Sequence, residues 1–346
     1  MQEIIIVVSE LSVIGAGAWG TALACSMASQ GDDVVIWALE DEVIGGVNNG
    51  HENTVYLPGV PLSKNIRAVS DMAQCARNAK IMIIAVPAQY MRATIQKLSG
   101  LVEPETILVS ATKGIENKTL SLASDIIDET FPEEVAKKCC VLSGPTFASE
   151  LVGKAPSAAT VASRLPESAR KVQKIMSKPF FRLYTHHDLI GVEIGGAVKN
   201  VIAIAAGISD GMGFAHNTRA ALMTRGLMEM TRLGVAMGAL ERTFTGLSGM
   251  GDLFLTCGSN LSRNRTVGLR LGEGEKLSNI LDSMKAVAEG VTTSLSLHNL
   301  AKRHAVKMPI TLEVYKTLYE NKPPKQAVID LMGRTLKEEF SLNYKR

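Results

Sequence analysis

The stretch Leu11-Ser12-Val13-Ile14-Gly15-Ala16-Gly17-Ala18-Trp19-Gly20-Thr21-Ala22 limits this fold more than any other part of the chain. An apolar run leads directly into Gly15, Gly17 and Gly20 at G-x-G-x-x-G spacing. An alanine-rich stretch follows, and a second apolar run ends at Trp37. That order reads as strand, tight turn, helix and strand, the setting in which three such glycines bind a dinucleotide. Gly15 permits the turn, Gly17 lets backbone approach a pyrophosphate, and Gly20 lets the helix pack against the strand. The helix N-terminus is then aimed at the anion. Beyond Trp37 come Ala38, Leu39, Glu40 and Asp41. A carboxylate at Glu40 would accept hydrogen bonds from a ribose 2′-hydroxyl and repel a 2′-phosphate, which tilts the expected cofactor from NADP towards NAD.

The runs Leu11–Ile14, Val34–Trp37, Ile81–Val86, Thr106–Ser110 and Cys140–Leu142 are continuously apolar rather than alternating. Strands covered on both faces of a parallel sheet read this way. Helical stretches at Thr21–Ser29, Gln89–Leu98 and Leu120–Glu129 fall between them. From Gly191 onward long helix-forming segments dominate, at Val192–Ile208, Thr218–Met237, Leu277–Ala288, Thr293–Arg303 and Pro309–Tyr319. The expected fold is an α/β Rossmann-type domain with a mostly parallel sheet over residues 1–190, then an all-helical domain over 191–346. A length of 346 residues suits two domains.

Lys plus Arg exceeds Asp plus Glu by only 37 − 34 = 3. So balanced a chain lacks the concentrated basic face that nucleic acids or anionic membranes require, and a small phosphate would need a local cluster. The five cysteines, Cys25, Cys75, Cys139, Cys140 and Cys257, are scattered and form no C-x-x-C pair, so neither disulfide framework nor metal site is expected. The opening MQEIIIVVSE has no basic segment and too short an apolar run for a signal peptide, and no 18-residue uncharged apolar stretch occurs. A soluble cytoplasmic protein is the expectation.

Charged residues in apolar company carry the chemical signal. Between Gly196 and Ser209 the only polar side chains are Lys199 and Asn200. An ammonium buried there needs a carboxylate or ligand to offset its lost hydration, and burial lowers its pKa towards neutrality. Asp252 and Thr256, at i and i+4, share one face if helical, and Asp252 is the candidate partner. Lys113 follows a strand, at the carboxyl edge where open α/β sheets bind ligands. Gly144 and Thr146 lie in a small-residue loop after another strand. Ser262, Arg263, Asn264 and Arg265 make a compact donor cluster suited to a phosphate. The methionines from Met212 to Met237 read as core, and His186, His187, His216 and Cys257 show no catalytic or ligand spacing.

Taken together, GAGAWGTALA, ATKGIE, SGPTFASE, GGAVKNVIAIAAGISDGMGFAHNTRAAL and GMGDLFLTCGSNLSRNR closely resemble the NAD(P)-dependent glycerol-3-phosphate dehydrogenases, particularly the bacterial form. The resemblance runs from about Leu11 to about Arg334. It implies interconversion of dihydroxyacetone phosphate and sn-glycerol 3-phosphate, the backbone of phospholipids, by a homodimer. Lys199 matches the family's catalytic lysine, with Lys113 and Asp252 beside it in the catalytic group. Lys113, Gly144, Thr146, Lys199, Asn200, Asp252, Thr256, Ser262, Arg263 and Asn264 match the substrate site. Gly15, Gly17, Ala18, Trp19, Gly20, Leu39, Glu40, Lys113, Ala148, Arg263, Val287 and Glu289 match cofactor contacts. No metal is implied. Bacterial members often carry Arg or His where this chain has Leu39, a departure that agrees with the tilt towards NADH. The rival readings are another two-domain reductase or a nucleotide-binding redox sensor. Neither calls for the lysine, aspartate and phosphate cluster together.

Overall fold

The computed structural model describes residues 9–284, 287–336 and 338–339. Its first half is an eight-stranded sheet: β1 Leu11–Ile14, β2 Val34–Trp37, β3 Ile66–Val69, β4 Ile81–Ile84, β5 Ile107–Ser110, β6 Cys140–Ser143, β7 Ser157–Ser163 and β8 Phe181–His186. The spatial order is β8-β7-β6-β5-β4-β1-β2-β3. All neighbours pair in parallel except β6 and β7, which are antiparallel. The chain therefore reverses its direction of travel across the sheet between β1 and β4. Open α/β sheets bind their ligands at such a switch point, outside the strands' carboxyl ends. A short ribbon, Glu52–Asn53 with Leu57–Pro61, stands apart from the sheet.

Every residue of β1, β2, β4, β5 and β6 is buried, as continuous apolar runs require. The sequence reading had no strand at β3, β7 or β8. β8 alternates buried and exposed residues at the sheet's edge, and β7 is built mainly of small residues, so neither carries the two-faced apolar signature.

The helices that matter for the site are α1 Ala18–Ala28, α2 Ala123–Thr130, α3 Leu189–Gly211, α4 His216–Ala236, α5 Asp252–Gly258, α6 Arg263–Gly272, α7 Glu289–Arg303, α8 Pro309–Tyr319 and α9 Pro324–Met332. The expected helix over Leu277–Ala288 is shorter, ending at Asp282, and Lys285 and Ala286 lie outside the described residues. Two apolar clusters cover the two faces of the sheet, and a third fills the helical half around α3. Among the described residues α3 is one helix long and apolar enough to cross a bilayer, with mean hydropathy 1.6. Yet 89% of that window lies inside the protein, and α3 is the helical half's core. Asp188 caps it, accepting from Gly191 N–H at 2.8 Å and binding Leu240 N–H and the Thr243 hydroxyl, which ties the helix start to the segment before α5.

Candidate active site

The glycine turn has the form its spacing requires. Gly15 sits at φ +111°, where a side chain would be strained and its Cβ would meet the Ala85 carbonyl at 2.9 Å. A Cβ on Gly20 would stand 1.9 Å from the Gly15 oxygen, so only glycine lets α1 lie this close to β1. Gly17, by contrast, faces open space. The first turn of α1 has no acidic residue and no side-chain cap, which leaves its N–H groups and positive dipole end available to an anion. The Trp19 indole N–H is buried without a protein partner. Open backbone, uncapped helix and orphaned donor all suit the dinucleotide that the fold implies. Ala18 and Trp19 begin α1, and Ala148 begins the neighbouring short helix Ala148–Val152. Trp19 and Ala148 pack against the same apolar cluster. Leu39 is 73% exposed, and exposed Glu40 accepts the Tyr56 hydroxyl at 2.7 Å.

Beyond the carboxyl end of β5, two lysines share one carboxylate. Lys199 Nζ stands 2.8 Å from Asp252 Oδ1, and Lys113 Nζ 2.6 Å from Oδ2. Asp252 is fully buried, and Lys199 almost so. Lys199 also donates to Thr256 Oγ1 at 2.8 Å, and Lys113 to the Gly144 carbonyl at 3.2 Å. The local fold explains this convergence. Lys113 leaves the end of β5, Lys199 lies mid-way along α3, and a π-helical turn, Leu247–Gly251, delivers Asp252 to the start of α5. Asp252 and Thr256 share a face of α5, with Gly251 rather than Asp252 at the cap. Gly195 lets the π-turn approach, since its Cβ would meet the Ser248 carbonyl at 2.4 Å. A Cβ on Gly196 would crowd Ser143 Oγ at 2.8 Å.

Burial lowers the Lys199 pKa to about 8, helped by the Lys113 charge and resisted by Asp252. Burial alone would raise the Asp252 carboxyl, but the Lys113 and Lys199 ammoniums outweigh it and hold it below its usual value. Half-buried Glu289, first residue of α7, is raised by burial against the pull of Arg263, Lys113 and Lys199.

Beside this pair runs a polar chain. Asn264 Nδ2 donates to Asn200 Oδ1 at 2.9 Å, and Asn264 Oδ1 accepts Gly290 N–H at 2.8 Å. Ser262 caps α6, its buried hydroxyl accepting Arg265 N–H at 3.2 Å. Arg263 is exposed, and its side chain makes no hydrogen bond among the described residues. Arg265 points the other way, into a buried ion pair with Asp210. Thr146 Oγ1 donates to the Gly144 carbonyl at 3.2 Å, and Val287 is exposed just before α7.

Sequence reasoning missed three features. Ser143 Oγ is buried without a protein partner at the end of β6. Glu193 buries its carboxylate on α3, accepting Ser124 N–H at 2.8 Å and the Ser124 hydroxyl at 2.7 Å at the start of α2. Asp210 binds two arginines. Glu193 was detectable by the argument that exposed Lys199, a charge amid apolar neighbours. Which of Arg263 and Arg265 faces inward was not, because residues two apart on a helix point to opposite faces and the sequence does not mark which face is covered. Among the described residues no group of three or more His, Cys, Asp or Glu is arranged to hold a metal.

The family description NAD-dependent glycerol-3-phosphate dehydrogenase N-terminus matches residues 10–169, and the corresponding C-terminus description matches 188–329. The chain is 51% identical over 330 residues to the glycerol-3-phosphate dehydrogenase [NAD(P)+] of Syntrophotalea carbinolica, covering 95% of this chain and 99% of that one. Its fold is similar to the glycerol-3-phosphate dehydrogenase structure from Coxiella burnetii, with a TM-score of 0.89 at 36% identity, over 94% of this chain and 98% of the other. It is also similar to the Saccharomyces cerevisiae enzyme of that name, with a TM-score of 0.79 at 27% identity, over 94% and 99% of the respective chains. With a dinucleotide turn facing a lysine–aspartate–lysine cluster in one chain, this protein belongs to the NAD-dependent glycerol-3-phosphate dehydrogenase family.

Proposed function

We propose that this chain interconverts dihydroxyacetone phosphate and sn-glycerol 3-phosphate, feeding glycerophospholipid synthesis, with residues 1–190 as the cofactor half and 191–346 as the substrate half. The observation that carries the reading is the buried Asp252 carboxylate shared by Lys199 at 2.8 Å and Lys113 at 2.6 Å. Bound NAD(P)H supplies the hydride. Charge then grows on the substrate's carbonyl oxygen, and Lys199, cationic below about pH 8, stabilises that oxygen and passes it a proton. Asp252 holds both ammoniums in place, Thr256 orients the Lys199 ammonium, and Lys113 adds a second positive group. Arg263, Asn264 and Asn200 grip the phosphate away from the reacting carbon, which turns remote binding energy into orientation. Gly144 and Thr146 border the substrate. Gly15, Gly17, Gly20, Ala18, Trp19, Ala148, Lys113, Arg263, Val287 and Glu289 would border the dinucleotide.

For the adenosine end we infer a preference for NADH. Leu39 and Glu40 offer a 2′-phosphate no cation, and Glu40 would repel it. Turnover of dihydroxyacetone phosphate with NADH and NADPH measured in parallel tests both readings. No turnover with either removes the activity, and tenfold tighter NADPH removes the preference. A cytoplasmic, homodimeric enzyme completes the proposal. The five thiols are unpaired, as a reducing compartment allows. A groove of about 890 Å³ between α4, α8 and α9, lined by Phe214, Leu222, Val235 and Leu331, leaves apolar surface for a second copy.

A further inference from the structure

Helices α3 and α6 approach more closely than side chains normally permit. A Cβ on Gly207 would stand 2.0 Å from the Arg265 carbonyl oxygen, and one on Gly211 2.0 Å from that of Leu269. From the other helix, a Cβ on Gly268 would stand 2.0 Å from the Ile204 oxygen, and one on Gly272 2.4 Å from that of Ile208. The partners rise together along both chains, so the helices run parallel in one fixed register. The start of α6, with Arg263 and Asn264, is thereby set beside the middle of α3, with Lys199 and Asn200. The Asn200–Asn264 bond of 2.9 Å closes that end.

A second lock lies beyond the glycines. Asp210, near the end of α3 and with its side chain 6% exposed, binds Arg265 of α6 at 2.9 Å through Nε and 2.7 Å through Nη2. Its other oxygen binds Arg219 of α4 at 3.0 and 2.7 Å. Arg265 Nη1 reaches on to Asn260 Oδ1 at 2.7 Å, in the loop that leads from α5 to α6. The loop between the carboxylate helix and the phosphate helix is therefore tied to the lysine helix from beneath.

We propose that Asp210 and Arg265 are positioning residues which, with the glycine seam, hold the Arg263–Asn264 phosphate grip at one fixed reach from the Lys199 ammonium. The site thereby prefers a phosphate ester one carbon from the reacting carbonyl. This rests on the functional reading above. Neither residue touches substrate; both act through the placement of α6. A rigid spacing penalises a substrate longer by one methylene, because phosphate and carbonyl cannot both reach their partners.

The test uses the full-length chain and the variant Asp210→Asn, which keeps the shape and removes the charge. Four quantities are measured: folding by circular dichroism, cofactor affinity by tryptophan fluorescence, kinetics on dihydroxyacetone phosphate, and kinetics on the homologue with one further methylene before the phosphate. The expected result is a folded protein with KM for dihydroxyacetone phosphate raised roughly ten- to hundredfold and cofactor affinity changed much less, since Arg263 is the one proposed cofactor contact on α6. Its preference over the longer homologue falls by about tenfold or more. Arg265→Lys, which keeps the cation but loses the fork to Asn260, gives a smaller change in the same two quantities. It decides the matter should Asp210→Asn not fold. A role in stability alone would lower both substrates' rates together and leave the preference intact. An unchanged KM and preference in a folded variant overturns the proposal. Wild type that fails on dihydroxyacetone phosphate overturns instead the reading on which it rests.

Discussion

Lys199 is a cation held in a buried place, and its proton is poised by three opposed influences. Burial and the Lys113 charge lower its affinity for the proton, while Asp252 raises it, leaving a pKa of about 8. Lys199→Met keeps the stem and removes the proton, so turnover falls by several orders of magnitude while cofactor binding survives, as steady-state rates and a fluorescence titration would show. Reduction needs the protonated form. The kcat/KM for dihydroxyacetone phosphate therefore declines as pH rises through about 8, and oxidation follows the opposite limb. In Asp252→Asn the stabilising charge is lost and the limb moves to lower pH; a pH–rate profile whose limb stays put would separate Lys199 from that titration. At this scale the sequence was most informative, because a charged residue amid apolar neighbours must be compensated. It showed Lys199 and its candidate partner. It could not show that Lys113, 139 residues from Asp252, reaches the same carboxylate, since that meeting depends on tertiary packing.

Among the elements, the glycine turn and α1 were legible for a steric reason: three glycines at that spacing after a strand have few other uses. Gly20→Ala forces α1 off β1, because its Cβ would lie 1.9 Å from the Gly15 oxygen. Calorimetry should show a loss of about 2–4 kcal/mol, with cofactor affinity falling alongside. Elsewhere the apolar signature failed where the structure does not need it. β8, with one exposed face at the edge of the sheet, alternates, and β3 includes Arg67. The two halves are joined by an element contact that periodicity does not report, the Glu193 carboxylate on Ser124 at the start of α2. Burial raises that carboxyl to about 7 from 4.5. A raised carboxyl favours the folded state below the unfolded value, and the benefit is lost as pH climbs through 7. Glu193→Gln removes this dependence. Its stability relative to wild type should improve by roughly 1–3 kcal/mol between pH 5 and pH 8.5, read from denaturation midpoints at the two values.

At the scale of the molecule, length suits two domains, and a charge excess of only three leaves a small anion to a local cluster. Two cations, Lys113 and Lys199, are gathered on one aspartate, and Arg263 completes the proposed set. What the chain could not disclose is which apolar residues of its helical half line an open groove, because such a residue and one in a core read alike. If the groove between α4, α8 and α9 is that surface, Leu222→Glu or Val235→Glu should halve the mass measured by light scattering while leaving the helical spectrum intact. A dimer that persists in both variants would assign the interface to another face.

The close contact of α3 with α6 also restricts how such a protein can change over time. Each of four glycines lies against the opposing backbone, so enlarging any one shifts both helices at once, and no single neighbour can yield to absorb it. Substrate range along this lineage is therefore expected to vary through loops such as 143–146, which can be altered one residue at a time. In the proposed site, the reach from Lys199 to the Arg263–Asn264 pair is then the dimension least free to change.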